Sequence, residues 1–126
     1  MRSRRADVIR AVRKGLPAAT LEAMVQKLAI DRSVLLNVLG ISTRTLQRKS
    51  RSQDKLSPMA SDRLSRVERI YRLATDVLGS PDKGAAWLKR SSRALNNQRP
   101  IELLDTDAGA QDVERELRQV EHGFVY

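Results

Sequence analysis

Residues 31–51, DRSVLLNVLGISTRTLQRKSR, decide the fold. Asp31 is a favourable helix N-cap, and Val34, Leu35, Val38 and Leu39 then recur at helical spacing to form an apolar face. Gly40 supplies the left-handed residue that stops this helix. Ile41 fills the corner, and Ser42 caps a second helix that opens at Thr43. Two short helices joined by a three-residue turn containing glycine are the pattern of a helix-turn-helix.

The second helix limits what this unit touches. At 3.6 residues per turn Leu46 points inward, and Arg44, Arg48 and Arg51 form one outward stripe flanked by Thr45 and Gln47. Arginine can bond guanine edges bidentately, glutamine can read adenine, and arginine or lysine can hold phosphates, so the helix suits a major groove. A surface helix with a solvated basic face would show the same stripe. The turn chemistry, and the Thr and Gln set among the cations, favour DNA binding. The candidate DNA-binding residues are Arg44, Thr45, Gln47, Arg48, Lys49 and Arg51.

Working outward, the chain has 126 residues and no cysteine, with 40% hydrophobic but only 3% aromatic residues. That is one domain, or two small ones sharing a core of Leu, Val, Ile and Ala. The net charge of +9 is unevenly spread. Residues 1–80 hold 17 Lys/Arg against 7 Asp/Glu, whereas residues 81–126 hold 7 against 8. Charge and motif therefore point to the same polyanion, and the last third is expected to serve another purpose. No long apolar run follows Arg2, Arg4 and Arg5, so the expectation is a cytoplasmic protein without a secretory leader or membrane span.

In chain order, residues 6–14 read as a helix with Val8, Ile9 and Val12 on one face and Gly15 as its stop. The arginines before it read as a frayed basic terminus or a phosphate-contacting arm. Pro17 opens a helix with Leu21, Met24, Val25 and Leu28 inward, and residues 52–56 read as a polar loop. Ser57-Pro58 starts the longest helix, running to about Leu78 before Gly79. Its seam is Leu64, Val67, Tyr71, Ala74 and Leu78. Ile70, Leu73 and Val77 widen the stripe, either as core or as a face for a second subunit. Arg63 and Arg66 read as phosphate contacts or, more readily, as a solvated or salt-bridged flank.

Ser80-Pro81 repeats the cap-plus-proline signal before a short helix carrying Ala85 to Leu88. Asn96-Asn97 is a turn, Pro100 opens a single helical turn ending at Leu103-Leu104, and Thr106 caps a last helix. That helix turns Val113, Leu117 and Val120 inward, pairs Glu114 with Arg118 outside, and ends at His122-Gly123. These 46 residues (81–126) are too few to bury a core alone and must pack on the long helix, on a partner, or on both. Phe124-Val125-Tyr126 follow the helix stop; they either fold back on their own domain or serve as an apolar plug for another protein's cleft.

Across roughly residues 15 to 125 the chain resembles the Xre/MbcA/ParS-type antitoxins. The residues that carry the likeness are Ala86-Trp87-Leu88, Ala94-Leu95, Pro100, Leu103-Leu104, Thr106, Gly109, Val113, Leu117 and His122-Gly123. Gly40-Ile41-Ser42, Arg44-Thr45-Leu46 and Arg48 look like that family's helix-turn-helix, and Asp62-Arg63-Leu64 with Arg66 like the start of its connecting helix. The chain departs from the pattern at Ser91-Ser92, where the family often has Pro-Asn, and at Asn96-Asn97, where it often has glycines. Asparagine tolerates left-handed backbone, so the turn is expected to survive.

The resemblance implies an all-α protein: an N-terminal helix-turn-helix bundle joined by a long helix to a small helical toxin-binding domain. The implied regions are 1–57 for DNA binding, 58–79 for connection and dimerisation, and 80–126 for toxin binding. It further implies an antitoxin of a type II toxin-antitoxin system that represses its own operon and blocks a RES-domain, NAD⁺-consuming toxin. Operator DNA, that toxin and a second copy in a homodimer would be the partners. The implied toxin-binding residues are Trp87, Leu88, Pro100, Leu104, Val113, Leu117, Val120, His122, Gly123, Phe124, Val125 and Tyr126. The plug reading of the last three is favoured by the same likeness. The 7 acids against 2 arginines in residues 100–126 would complement a basic cofactor cleft.

An enzyme is not expected: there is one His, no Cys, no glycine-rich phosphate loop and no metal-ligand cluster. His122 reads as a helix-capping residue, and Asp105 and Asp107 suit a helix start better than a metal. No cofactor is expected. The competing reading is a stand-alone DNA-binding regulator whose last third only dimerises.

Overall fold

A computed structural model describes residues 3–123. It is all-α: α1 (Arg4–Lys14), α2 (Ala18–Leu28), α3 (Arg32–Leu39), α4 (Thr43–Ser52), α5 (Pro58–Leu78), α6 (Pro81–Lys89) and α7 (Asp107–Glu121). Two 3-10 segments, Arg93–Leu95 and Pro100–Asp105, lie between α6 and α7. Extended pairing among the described residues is confined to two isolated bridges, Pro17 with Lys55 and Ser92 with Gln98. No helix there is long and apolar enough to cross a membrane.

The long helix α5 is the spine. Ser57 accepts the Ala60 amide at 3.1 Å and Pro58 occupies the first turn, so its start is fixed by cap and φ together. Leu64, Val67, Ile70 and Ala74 have no exposed surface. The helix packs against α6, α7, α1 and α3. Ile70 is thus covered by its own chain rather than offered to a second subunit, and Leu73 packs against the same core at half exposure.

The last third does more than lean on α5. The 3-10 segment 100–105 lies directly against α3, and α6 lies against α2. Lys89 Nζ donates to the carbonyl of Ala29 at 3.2 Å, placing a cation on the C-terminus of α2. One hydrophobic cluster runs from Ala18 to Leu117 through both halves. Each fully buried leucine in it contributes about 1.5–3 kcal/mol relative to exposure, so neither half keeps its core without the other.

Several local expectations change. Asp31 sits at the N-cap of α3 with extended backbone, but its side chain makes no capping bond. Leu36 joins Leu35, Val38 and Leu39 in the core, because α3 is enclosed by α2, α5 and the 100–105 segment together. Arg4 and Arg5 are not a frayed arm but the first turn of α1, capped by Ser3 through the Ala6 amide at 3.1 Å. The apolar face of α1 is poorly covered: Val8 and Ile9 remain 41% and 42% exposed. In the supposed polar loop Leu56 is buried, and its amide donates to the Leu16 carbonyl at 2.8 Å. Ser61, the buried polar residue of α5, takes the Leu16 amide on its hydroxyl at 2.8 Å and so ties the α1–α2 junction to the spine.

Candidate functional site

The helix-turn-helix is built as its sequence requires. Gly40 has φ of +73°, which a side chain would strain, and its amide closes the end of α3 on the carbonyls of Asn37 and Leu36. Ser42 Oγ accepts the Thr45 amide at 3.1 Å and donates to the Thr45 hydroxyl at 3.0 Å. Leu46 anchors α4 with 3% of its surface exposed. Arg44, Gln47, Arg48 and Arg51 are all exposed, and among the described residues no hydrogen bond or ion pair holds their side chains. Thr45 and Lys49 are half-buried on the far flank of the stripe. Four long donor side chains are therefore free on one face of a rigid helix, the arrangement that can meet base edges and phosphates.

The arginines of α5 are engaged elsewhere. Arg63 Nη1 donates to the Val38 carbonyl at 3.4 Å, across the end of α3. Arg66 Nη1 donates to the Leu104 carbonyl at 3.0 Å and lies 3.6 Å from Asp62, with its side chain only 15% exposed. Both close helix C-terminal carbonyls, where a cation is favoured, instead of reaching for phosphates. Arg69 meets Glu114 at 3.5 Å and Arg72 meets Glu68 at 2.7 Å, a salt-bridged flank.

A third charged group lies beside the recognition helix. Glu22 of α2 accepts two parallel bonds from Arg32, from Nε at 2.9 Å and from Nη2 at 2.7 Å. The bond, and then the carboxylate's charge, hold the Arg32 guanidinium protonated above its ordinary range. The contribution of this residue pair was not legible in the sequence, because the two lie ten positions apart on different helices.

The residues of the last third divide by burial. Leu88, Leu104, Val113 and Leu117 have no exposed surface, and Pro100 is buried. They belong to the chain's own core, because α7 turns Val113 and Leu117, and the 3-10 segment turns Leu104, toward α5. Of the implied toxin-binding residues, Trp87 and Val120 are half-buried and His122 and Gly123 are exposed. His122 ends α7 through its amide, which donates to the Arg118 carbonyl at 3.0 Å. Phe124, Val125 and Tyr126 lie outside the described residues.

The turn at Asn96-Asn97, where the chain departs from the family pattern, and the Thr106 cap, which carries the likeness, are both formed. Asn96 and Asn97 both take positive φ, +58° and +63°. Thr106 caps α7 by accepting the Gly109 amide at 3.0 Å, and Glu114 pairs with Arg118 at 3.2 Å. The outer side of α7 presents Asp112 in a pair with Arg115, with Glu116 nearby and Glu121 near Arg118. Among the described residues no three carboxylate or imidazole side chains gather into a metal-binding group.

Two family models match the chain and meet near the end of α5. Residues 7–74 match the family model for the antitoxin Xre-like helix-turn-helix domain. Residues 73–123 match that for the antitoxin Xre/MbcA/ParS C-terminal toxin-binding domain. The chain is 32% identical over 113 residues to an antitoxin Xre of Photorhabdus laumondii, covering 89% of this chain and 76% of that one. It is 28% identical over 123 residues to an antitoxin Xre of Yersinia enterocolitica, covering 96% and 82%. A protein of Sphingobium named Prs ADP-ribosylating antitoxin is 29% identical over 126 residues, covering 93% and 79%. With a helix-turn-helix whose outward cations are free, and a helical C-terminal part matched from Leu73 to Gly123, the chain belongs to the Xre/MbcA/ParS-type antitoxins.

Proposed function

We propose that this antitoxin neutralises a RES-domain, NAD⁺-consuming toxin through its C-terminal part and represses its own operon through the helix-turn-helix. The observation that carries the operator half is the unengaged stripe of Arg44, Gln47, Arg48 and Arg51 over a buried Leu46. A cation stripe on a capped, anchored helix supplies both base readout and phosphate neutralisation. The C-terminal half is supported by charge. Residues 100–126 carry seven acids against two arginines, which complements a cleft shaped to hold a phosphate-rich cofactor.

In this reading regions 1–57, 58–79 and 80–126 divide the work but not the core. The toxin meets Trp87, Val120, His122, Gly123 and the Phe124–Tyr126 plug. Leu88, Pro100, Leu104, Val113 and Leu117 hold that surface up from beneath. The protein is no enzyme, takes no cofactor, and acts in the cytoplasm as a homodimer, because a two-fold operator presents two half-sites. Val77 and Leu78 at the end of α5 are half-exposed, and Val8, Ile9 and Met59 are more exposed still, so apolar surface remains for a second copy.

The test is a growth assay in bacteria. The neighbouring gene of the operon is induced alone, with the full chain, and with the chain lacking residues 124–126. Arrest by the neighbour, rescue by the full chain and weaker rescue by the shortened one are expected. A harmless neighbour, or no rescue, refutes the toxin half. Deleting all of 81–126 is a poor substitute, because it strips the cover from α3 and α5.

A further inference from the structure

Beside α4, sharing Gln47 and Arg51 with its outward stripe, lies an open cleft of about 560 Å³. Its polar walls are Glu22 of α2, Arg32 at the start of α3, and Thr43, Gln47, Ser50 and Arg51 along one flank of α4. Two guanidiniums, two hydroxyls and an amide face a single carboxylate, and that carboxylate is already matched by Arg32. Such a set is short of an anion.

The Arg32–Glu22 geometry suits an anionic partner. The paired bonds from Nε and Nη2 use two of the five guanidinium N–H groups and fix the plane of the fork. Three N–H groups remain for a second acceptor. An α-helix with its side chains is about 10–12 Å across and the major groove about 12 Å wide, so a seated helix has a phosphate strand along each flank. The cleft occupies one such flank of α4 for its whole length, from Thr43 to Arg51.

We propose that this cleft seats a backbone phosphodiester of duplex DNA, with Arg32 as its ligand and Glu22 as the positioning residue that aims Arg32. The proposal rests on the DNA-binding reading above. It gives Glu22, an acid beside a DNA-binding surface, a purpose that charge alone would deny it.

The test is fluorescence anisotropy of the full chain with a labelled duplex from its own promoter, titrated between 50 and 200 mM salt. Losing one phosphate contact lowers the log–log salt slope by about 0.9, so over that fourfold rise the wild type should lose about 3.5 times more affinity than Arg32→Ala. Arg32→Lys should keep the slope and bind more weakly, since it keeps the charge and loses the fork. Glu22→Gln raises the net charge by one and should nevertheless weaken binding. An unchanged slope in Arg32→Ala, or tighter binding by Glu22→Gln, overturns the proposal while leaving operator binding intact. A wild-type chain that fails to bind the duplex sinks the DNA-binding reading itself, and the cleft with it. Unchanged thermal unfolding midpoints identify these as binding effects.

Discussion

Gly109→Ala is a substitution whose sign runs against ordinary helix chemistry. Gly109 lies in the first turn of α7, and replacing a helical glycine by alanine normally stabilises by about 1 kcal/mol. Here an added Cβ would sit 2.0 Å from the Leu103 carbonyl oxygen and 3.0 Å from its carbon. Both are backbone atoms of the 3-10 segment 100–105, which is held on its far side by α3 and by Arg66. Relief therefore means moving α7 away from that segment by more than 1 Å, or shifting the segment into a close-packed core. Overpacking of this kind costs about 1–3 kcal/mol, and a backbone clash belongs at the upper end. Taking about 3 and subtracting the propensity gain of about 1 leaves a net loss of about 2 kcal/mol. With an unfolding entropy near 2.1 cal/mol/K per residue, the thermal midpoint should fall by about 7–8 °C. Far-UV circular dichroism through a thermal ramp, with a urea titration alongside, measures this directly. A midpoint equal to or above that of the wild type would show that the segment yields freely, and the close approach of α7 would then not be a constraint.

Further outcomes follow from residues already described. Arg44→Ala with Arg48→Ala should abolish the gel shift of promoter DNA and leave growth rescue intact; an unchanged shift refutes the stripe as the reading surface. Removing residues 124–126 should weaken toxin binding in a pull-down or calorimetric titration without changing duplex affinity, and equal toxin affinity before and after would dismiss the plug. Arg66→Met should cost about 1.5–3 kcal/mol in urea unfolding, the worth of a charge-assisted bond to the Leu104 carbonyl. Its salt slope on duplex DNA should match the wild type, and a lowered slope would restore Arg66 as a phosphate contact. Gly84→Ala should also destabilise, because its Cβ would lie 2.9 Å from the Thr75 amide nitrogen where α6 meets α5; a gain in midpoint would contradict that packing.

What the sequence disclosed was what is encoded locally. Ser42, Ser57, Ser80 and Thr106 are caps whose bonding partners lie three residues away, so short-range chemistry places them. Gly40 and the Asn96-Asn97 pair announce left-handed backbone by residue type. Leu46 against Arg44 and Arg48 follows from helical period. Misplaced features depend on neighbours distant in the chain. Leu56 looks like part of a polar loop until Leu16 arrives beside it, 40 positions earlier. Arg63 and Arg66 look like free cations until the ends of α3 and of the 100–105 segment come within reach. The apolar periodicity of the last third placed Val113 and Leu117 inward correctly but not Val120, which stays half-exposed away from the core, and it did not say what the inward face packs on. Val113 and Leu117 read equally well as a toxin surface or as core, and only the position of α5 decides. In the opposite direction, Val8 and Ile9 share a helical face yet stay largely exposed, since amphipathicity does not guarantee a partner.

The direct seating of the 100–105 segment on α3, with Lys89 on the end of α2, bears on how members of this family can diverge. A recombinant joined within α5, taking its DNA-reading half from one parent and its C-terminal third from another, would bring together two inner surfaces that were never fitted to each other. Such a hybrid should fold only when the core residues on both sides of the join are exchanged together. If Trp87, Val120 and the outer side of α7 meet the toxin as proposed, new toxin specificity would be acquired more readily by substitutions there than by shuffling whole segments. Operator specificity, on the proposed reading, would drift separately, through the solvent face of α4.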